Sequence, residues 1–436
     1  MDRRRWLERT LRFAAACSLG PAALGLAEAR ARAPHAAGVP PGRAAAAAMG
    51  PALLDGRASD GRRLVLVELG GANDGLNTLV PWRDERYRAL RPTLALGADE
   101  LIGLDGLRIE PSAGARGGVG DAPALHGALA PLVPLLERGE LAVVQGLGYP
   151  APNRSHFSSV RLWETGGDGR AGPGPDGWAT HDLEHRLGRP VADAHGIGLD
   201  GAAGPLESDT GRWLTTRSAA SLGELAVPVP AAREHANAAV AAMAARVHRL
   251  DATLERLAGK VRAAPGVEPL EGGALGARLT EVLRLVVAGV DAPLYHVRLG
   301  GFDTHENQRG RHARLLEELA TAVAALRDAL VAAGEWERTL VLTYSEFGRR
   351  AAENGAGGTD HGTAAPHLLA GGALGTERAV LGLAPDLGAL DAEGDPAATL
   401  DYRALYDRTL AGWFGIDDNR FRAFRDPATA PLFARG

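Results

Sequence analysis

Cysteine is almost missing from this chain: Cys17 is the only one in 436 residues, and it lies in a segment expected to be removed. The remainder has no thiol nucleophile, no cysteine-bound zinc, no iron–sulfur cluster and no disulfide. Lysine is equally scarce, with Lys260 alone in a charged helical stretch. A P-loop, a pyridoxal Schiff base and a Ser–Lys dyad each need a well-placed lysine, so all three are disfavoured. No apolar run is long enough for a stable membrane anchor; Phe13 to Ala27 is moderately apolar and too short. A net charge of -5 on this length points to neither nucleic acid nor an anionic membrane as partner. No repeat of fixed period is present.

With 45% hydrophobic residues over 436, the chain can bury a sizeable core as one large α/β domain or two medium ones. It opens on Asp2-Arg-Arg-Arg-Trp-Leu-Glu8, then the short apolar run, then small-x-small sites at Ala29-Arg-Ala31 and Ala31-Arg-Ala33. This resembles a twin-arginine signal peptide over residues 1–33. It implies the twin-arginine translocase as a partner during export and a periplasmic or secreted destination. An Ala/Gly/Pro-rich linker is expected over 34–62, and the folded domain over 63–436.

One pattern then recurs: an apolar run followed by a polar cluster. Leu64 to Leu69 leads to Gly70-Gly-Ala-Asn-Asp-Gly-Leu-Asn77, with Asp74 in the turn. Glu140 to Gln145 leads to Asn153-Arg-Ser-His-Phe157, with Ser155 near the start of a helix running from Phe157 to Trp163. A run beginning at Leu294 ends in Gly300-Gly-Phe-Asp-Thr-His305, which presents Asp303 and His305. Thr339 to Tyr344 delivers Ser345-Glu-Phe-Gly-Arg349, and a glycine-rich loop follows with Gly358-Thr-Asp-His-Gly362. Taken singly, each has a plain alternative: a helix cap, a turn or a surface histidine. His181 and His185 have metal-capable spacing but no third ligand in sight, and read as surface residues.

Collected, Asp74, Ser155, Asp303, His305, Glu346, Asp360 and His361 all fall near the ends of expected strands in a βα-alternating chain. In a parallel sheet those ends share one edge, where ligands bind. Several carboxylates and two imidazoles brought together repel one another unless cations neutralise them. The inference is a divalent metal site of mixed O/N ligands, with one or two ions. Zinc, manganese, calcium and iron all stay open. A helical or irregular insertion or lid is expected over about 165–290, including a long amphipathic helix from Ala231 to Ala263.

The five quoted motifs, in this order, resemble those of the DUF1501 family of secreted bacterial proteins. That family is similar in turn to the alkaline phosphatase-like superfamily, which includes sulfatases. The resemblance implies an α/β fold of alkaline phosphatase-like type, a mostly parallel central sheet flanked by helices. It implies metal ligands among Asp74, Asp303, His305, Glu346, Asp360 and His361, and Ser155 at the nucleophile position, with a metal-bound water as the alternative. Arg349 or Arg154 would hold anionic oxygens of a small substrate or secreted polymer. Phe347 stands where the superfamily places a histidine. That leaves open one metal, a different metal, or a site that binds without turnover. The expected activity is hydrolysis of a phosphate or sulfate ester; the alternative is an inactive secreted binding or assembly protein.

Overall fold

The computed structural model describes residues 61–433, apart from 105–107, 110–121, 188–190, 192, 200–202, 209–211, 223–237 and 375–377. The expected signal segment (1–33) and linker (34–62), up to residue 60, lie outside them. In chain order the strands are β1 (Arg63–Gly70), β2 (Leu79–Val80), β3 (Leu101–Gly103), β4 (Arg108–Ile109), β5 (Ala124–His126), β6 (Leu141–Gly148) and β7 (Gly196–Gly198). They continue with β8 (Trp213–Thr215), β9 (Leu294–Gly300), β10 (Thr339–Tyr344), β11 (Ala365–Gly371), β12 (Arg378–Leu381) and β13 (Leu400–Asp401). The helices used below are α1 (His156–Thr165), α2 (Trp178–Arg186), α3 (Ala238–Ala263), α4 (Gly273–Val287), α5 (Gln308–Ala332) and α6 (Tyr402–Arg408).

Ten strands form one sheet in the order β4-β12-β6-β11-β10-β1-β9-β7-β8, with β13 beside β6. All its pairings are parallel except the two made by β11. β1 lies at the centre, buried along its whole length, which is why it reads as an almost unbroken apolar run. Strand alternation sends Leu64 and Leu66 to one face, and Val65, Val67 and Leu69 to the other. The second face is covered by α4 and α5, with Leu254 and Leu257 of α3 packed in the same core. The first face carries α1, α2 and α6. The fold is therefore mixed α/β, a mostly parallel central sheet between helical layers.

The segment expected as an insertion or lid is built into this plan. β7 and β8 extend the sheet beyond β9, and α3 and α4 complete one covering layer. No helix among the described residues is long and apolar enough to cross a membrane.

Two tyrosines lock α1 in place. Trp163 of α1 stacks on Tyr402 at a ring separation of 4.2 Å, and Trp178 of α2 stacks on Tyr406 at 3.8 Å. The Tyr402 hydroxyl donates to the Leu162 carbonyl at 2.9 Å, and that of Tyr406 to the Trp163 carbonyl at 2.8 Å. The hydroxyls satisfy backbone oxygens while the rings bury apolar area. Replacing Trp163 by Ala should cost about 3–5 kcal/mol in unfolding free energy, read by urea denaturation. A loss below about 1 kcal/mol would show that α1 is not held by this stack.

Candidate metal centre

The loops of the parallel strands β1, β9 and β10 meet at one edge because parallel strands end on the same side. Two of them touch at their glycines. Gly71 has φ of 113°, and a Cβ there would sit 2.4 Å from the Asp303 amide nitrogen. Only a residue without a side chain permits that approach. The loop from β10 returns to the neighbouring antiparallel β11, pairing Arg349 with His361 on the way. Residues 345–364 therefore leave and re-enter the sheet at the edge where Asp303 stands.

His156, Asp303 and His361 each offer a ligand atom, all within 4.8 Å of one another. His361 Nε2 lies 3.1 Å from His156 Nε2, 3.0 Å from His305 Nε2 and 3.2 Å from Asp303 Oδ1. Asp303 Oδ1 is 3.0 Å from His305 Nε2, and Oδ2 is 3.6 Å from His156 Nε2. Two triangles of donors thus share the Asp303–His361 edge. A tetrahedral cation with bonds of about 2.0–2.1 Å sets its ligand atoms about 3.3 Å apart, so the observed spacing fits either face.

The outer nitrogens decide what the inner ones can do. His156 donates its Nδ1–H to Glu346 Oε1 at 2.6 Å. His305 Nδ1 is 3.1 Å from Asp360 Oδ1, and His361 Nδ1 is 2.9 Å from the Arg154 carbonyl. An imidazole that gives its Nδ1 proton to an oxygen presents a lone pair at Nε2. With the three Nδ1 atoms engaged by oxygens, the three Nε2 atoms face one another and one carboxylate, a donor set that can hold a cation. The Glu346 hydrogen bond, and then its charge, raises the pKa of His156 against burial. Burial pushes Asp303 up, but the Arg349 guanidinium, with the His361 and His305 rings beside it, outweighs burial and holds the carboxyl down at about 2. Burial lowers the pKa of His361.

The residues nominated from sequence divide accordingly. Asp303, His305 and His361 come together at the inner donors. Glu346 and Asp360 stand behind histidines, so their geometry is that of orienting carboxylates rather than ligands. Asp74 faces away. Its side chain and that of Arg91 are both fully buried, joined at 2.6 and 3.0 Å, and Gln308 donates to the same carboxylate. Burial raises its pKa, but Arg91 more than offsets this and the net shift is downward. Arg349 is 0% exposed and spends its nitrogens on the carbonyls of Gly71, Ala72, Phe302 and Thr359 and on Asp303 Oδ1. It brackets the loops instead of reaching a substrate. Arg154 is paired with Asp395. Ser155 is exposed, caps α1 without a side-chain bond, and its hydroxyl bonds to no described residue.

His156 was missed by the sequence reading, although it sits inside the quoted Asn153-Arg-Ser-His-Phe157 motif. The signal was its place beside Ser155 at a helix start, where the serine drew attention first. The Phe347 ring packs 5.0 Å from His156 and 4.9 Å from His361, between an imidazole brought by α1 and one from the loop before β11.

Residues 222–424 match the model of a family described as "Protein of unknown function (DUF1501)". That segment carries Asp303, His305, Glu346, Arg349, Asp360 and His361, while His156 lies outside it. No curated protein matches the chain. Among solved structures, the lipoteichoic acid synthase LtaP from Listeria monocytogenes is similar over 72% of this chain at 10% identity and a TM-score of 0.28. The chain spans 66% of that protein's length, just under two thirds. The protein PH0037 from Pyrococcus horikoshii is similar over 71% of this chain and 86% of its own, at 13% identity and a TM-score of 0.27.

The two kinds of residue should separate on mutation. His156→Ala removes an exposed-side donor and should lower metal affinity at least about tenfold with under about 1 kcal/mol change in apo-protein stability. Asp74→Ala strands the buried Arg91 and should cost about 3–5 kcal/mol in stability. Metal titration beside urea unfolding checks both. Metal loss without destabilisation in Asp74→Ala would put that carboxylate back among the ligands.

Proposed function

We propose, from the match to the DUF1501 family model and the geometry of the centre, that the protein is an exported metal-dependent hydrolase acting on a phosphate or sulfate ester or a related anion. The single observation that carries this reading is the convergence of three Nε2 atoms on Asp303. His156, Asp303 and His361 would hold a cation, with His305 completing the adjoining face. Imidazole-rich donors suit zinc, manganese or iron better than calcium, which takes oxygen ligands. A cation bound there supplies Lewis acidity toward an anionic oxygen and lowers the pKa of a coordinated water.

The rest is done by the chain. Glu346 and Asp360 fix the tautomers and ring planes of His156 and His305. Arg349 holds Asp303 in place and lowers its pKa. Half the Asp303 side chain and 42% of His305 remain exposed, so a substrate reaches the centre from solvent. Ser155 lacks a described partner to take its proton, which favours water over Ser155 as the attacking group. Phe157, 89% exposed directly after His156, offers an apolar face to the uncharged part of a substrate. Twin-arginine export carries folded protein, so the metal would be loaded before translocation.

The alternative of an inactive binding or assembly protein drew its strength from Phe347. His156 brings a third imidazole to the centre, which weakens that support. Elemental mass spectrometry on the mature exported protein, beside Asp303→Ala and His361→Ala, is the test. About one or two equivalents of metal in wild type, lost in both variants, is expected, together with turnover of aryl phosphates or sulfates. Tight metal with no turnover of any ester returns the weight to binding. No metal in wild type sinks the hydrolase reading.

A further inference from the structure

The arginines suggested by the motifs are both committed elsewhere, which leaves the substrate's negative charge without a protein partner. Arg298 on β9 is placed to supply one. Its Cα is in register with Glu68 of β1, and Gly300 is in register with Gly70, so Arg298 sits one pleat short of the sheet edge. Alternation puts it on the face that carries Leu294 and α1. Its side chain is 51% exposed.

Glu68 fixes the guanidinium through one end only. Nε donates to Glu68 Oε1 at 2.8 Å, and neither Nη1 nor Nη2 hydrogen-bonds a described residue. The group lies flat against Gly70, where a Cβ would come within 2.5 Å of both Nε and Nη2. A bare residue at 70 thus lets the fork lie along the strand end. The next residue, Gly71, donates its N–H to Glu346 Oε1 at 2.9 Å, the oxygen that also accepts from His156. The fork thus lies against the residue that precedes the one bonded to the carboxylate behind the His156 imidazole. Burial opposes its charge, but Glu68 and Glu346 together raise its pKa.

We propose that Arg298 is the substrate-binding arm of the centre, its Nη1 and Nη2 groups holding two oxygens of a tetrahedral oxyanion. A planar fork anchored at Nε presents two parallel donors, which matches phosphate and sulfate and which lysine cannot reproduce. The assignment rests on the ester-hydrolase reading and specifies how its substrate is recognised.

The test is isothermal titration of inorganic phosphate and inorganic sulfate into the metal-loaded full chain, with metal content measured on the same samples. Arg298→Ala should weaken binding of the preferred anion about tenfold or more, and Arg298→Lys should recover only part of it. Gly70→Ala keeps every charge and displaces the fork, so it should weaken binding as well. Metal content should stay at the wild-type level throughout. Unchanged anion affinity in Arg298→Ala and Gly70→Ala overturns the assignment. A metal-loaded wild type that binds neither anion also overturns it, while retained metal and ester turnover would leave the hydrolase reading standing.

Discussion

A single buried guanidinium holds the edge of this sheet together. Arg349 donates to backbone oxygens of the loops after β1 and β9, to Thr359 in the loop returning to β11, and to the carboxylate of Asp303. Loops carry unsatisfied carbonyls, and water cannot reach these. One planar cation with five N–H donors answers several of them at once. Remove it, and three loops lose their common anchor while Asp303 loses the hydrogen bond that contributes most to lowering its pKa. The donor geometry described above exists because these loops cannot move apart.

Behind the donors a second polar layer does for orientation what Arg349 does for position. Gln308, fully buried, donates to Asp74 and accepts from Thr304 at 3.0 Å and Thr359 at 2.6 Å. Thr304 sits between Asp303 and His305, and Thr359 precedes Asp360 and His361. Asp74 and Arg91 therefore form the fixed end of a chain of hydrogen bonds that runs forward to both ligand loops. Buried polar networks of this kind are costly unless complete, and a complete one specifies a single arrangement. From the opposite side, the Trp163 stack and the hydroxyls of Tyr402 and Tyr406 fix α1 and with it the direction of His156.

Much of this is legible in the sequence. The strands at Leu64–Leu69, Leu294–Gly300 and Thr339–Tyr344 show as apolar runs because they are buried on both faces, and the helical spacing of Leu316, Leu319, Val323, Leu326 and Leu330 shows α5. A glycine pair at the end of a buried run marks where chain leaves the sheet, so Asp303 and His305 could be nominated from local pattern alone. What misled was role. A carboxylate at a strand end looks the same in sequence whether it meets a cation, as Asp303 is placed to do, or a buried arginine, as Asp74 does.

By itself the sequence determined that strands and helices alternate and that polar, histidine-bearing clusters follow the apolar runs, because periodicity and turn residues are local properties; the mostly parallel sheet was implied by the family resemblance. It also excluded thiol and lysine chemistry, since those residues are nearly absent. Only the tertiary structure decided which side chains converge. His156 enters from a helix far away in sequence, Glu346 and Asp360 stand behind imidazoles, and Arg298 rather than Arg349 keeps a fork unspent among the described residues. Those assignments depend on which hydrogen-bonding capacity is already used, and that is settled by neighbours distant along the chain.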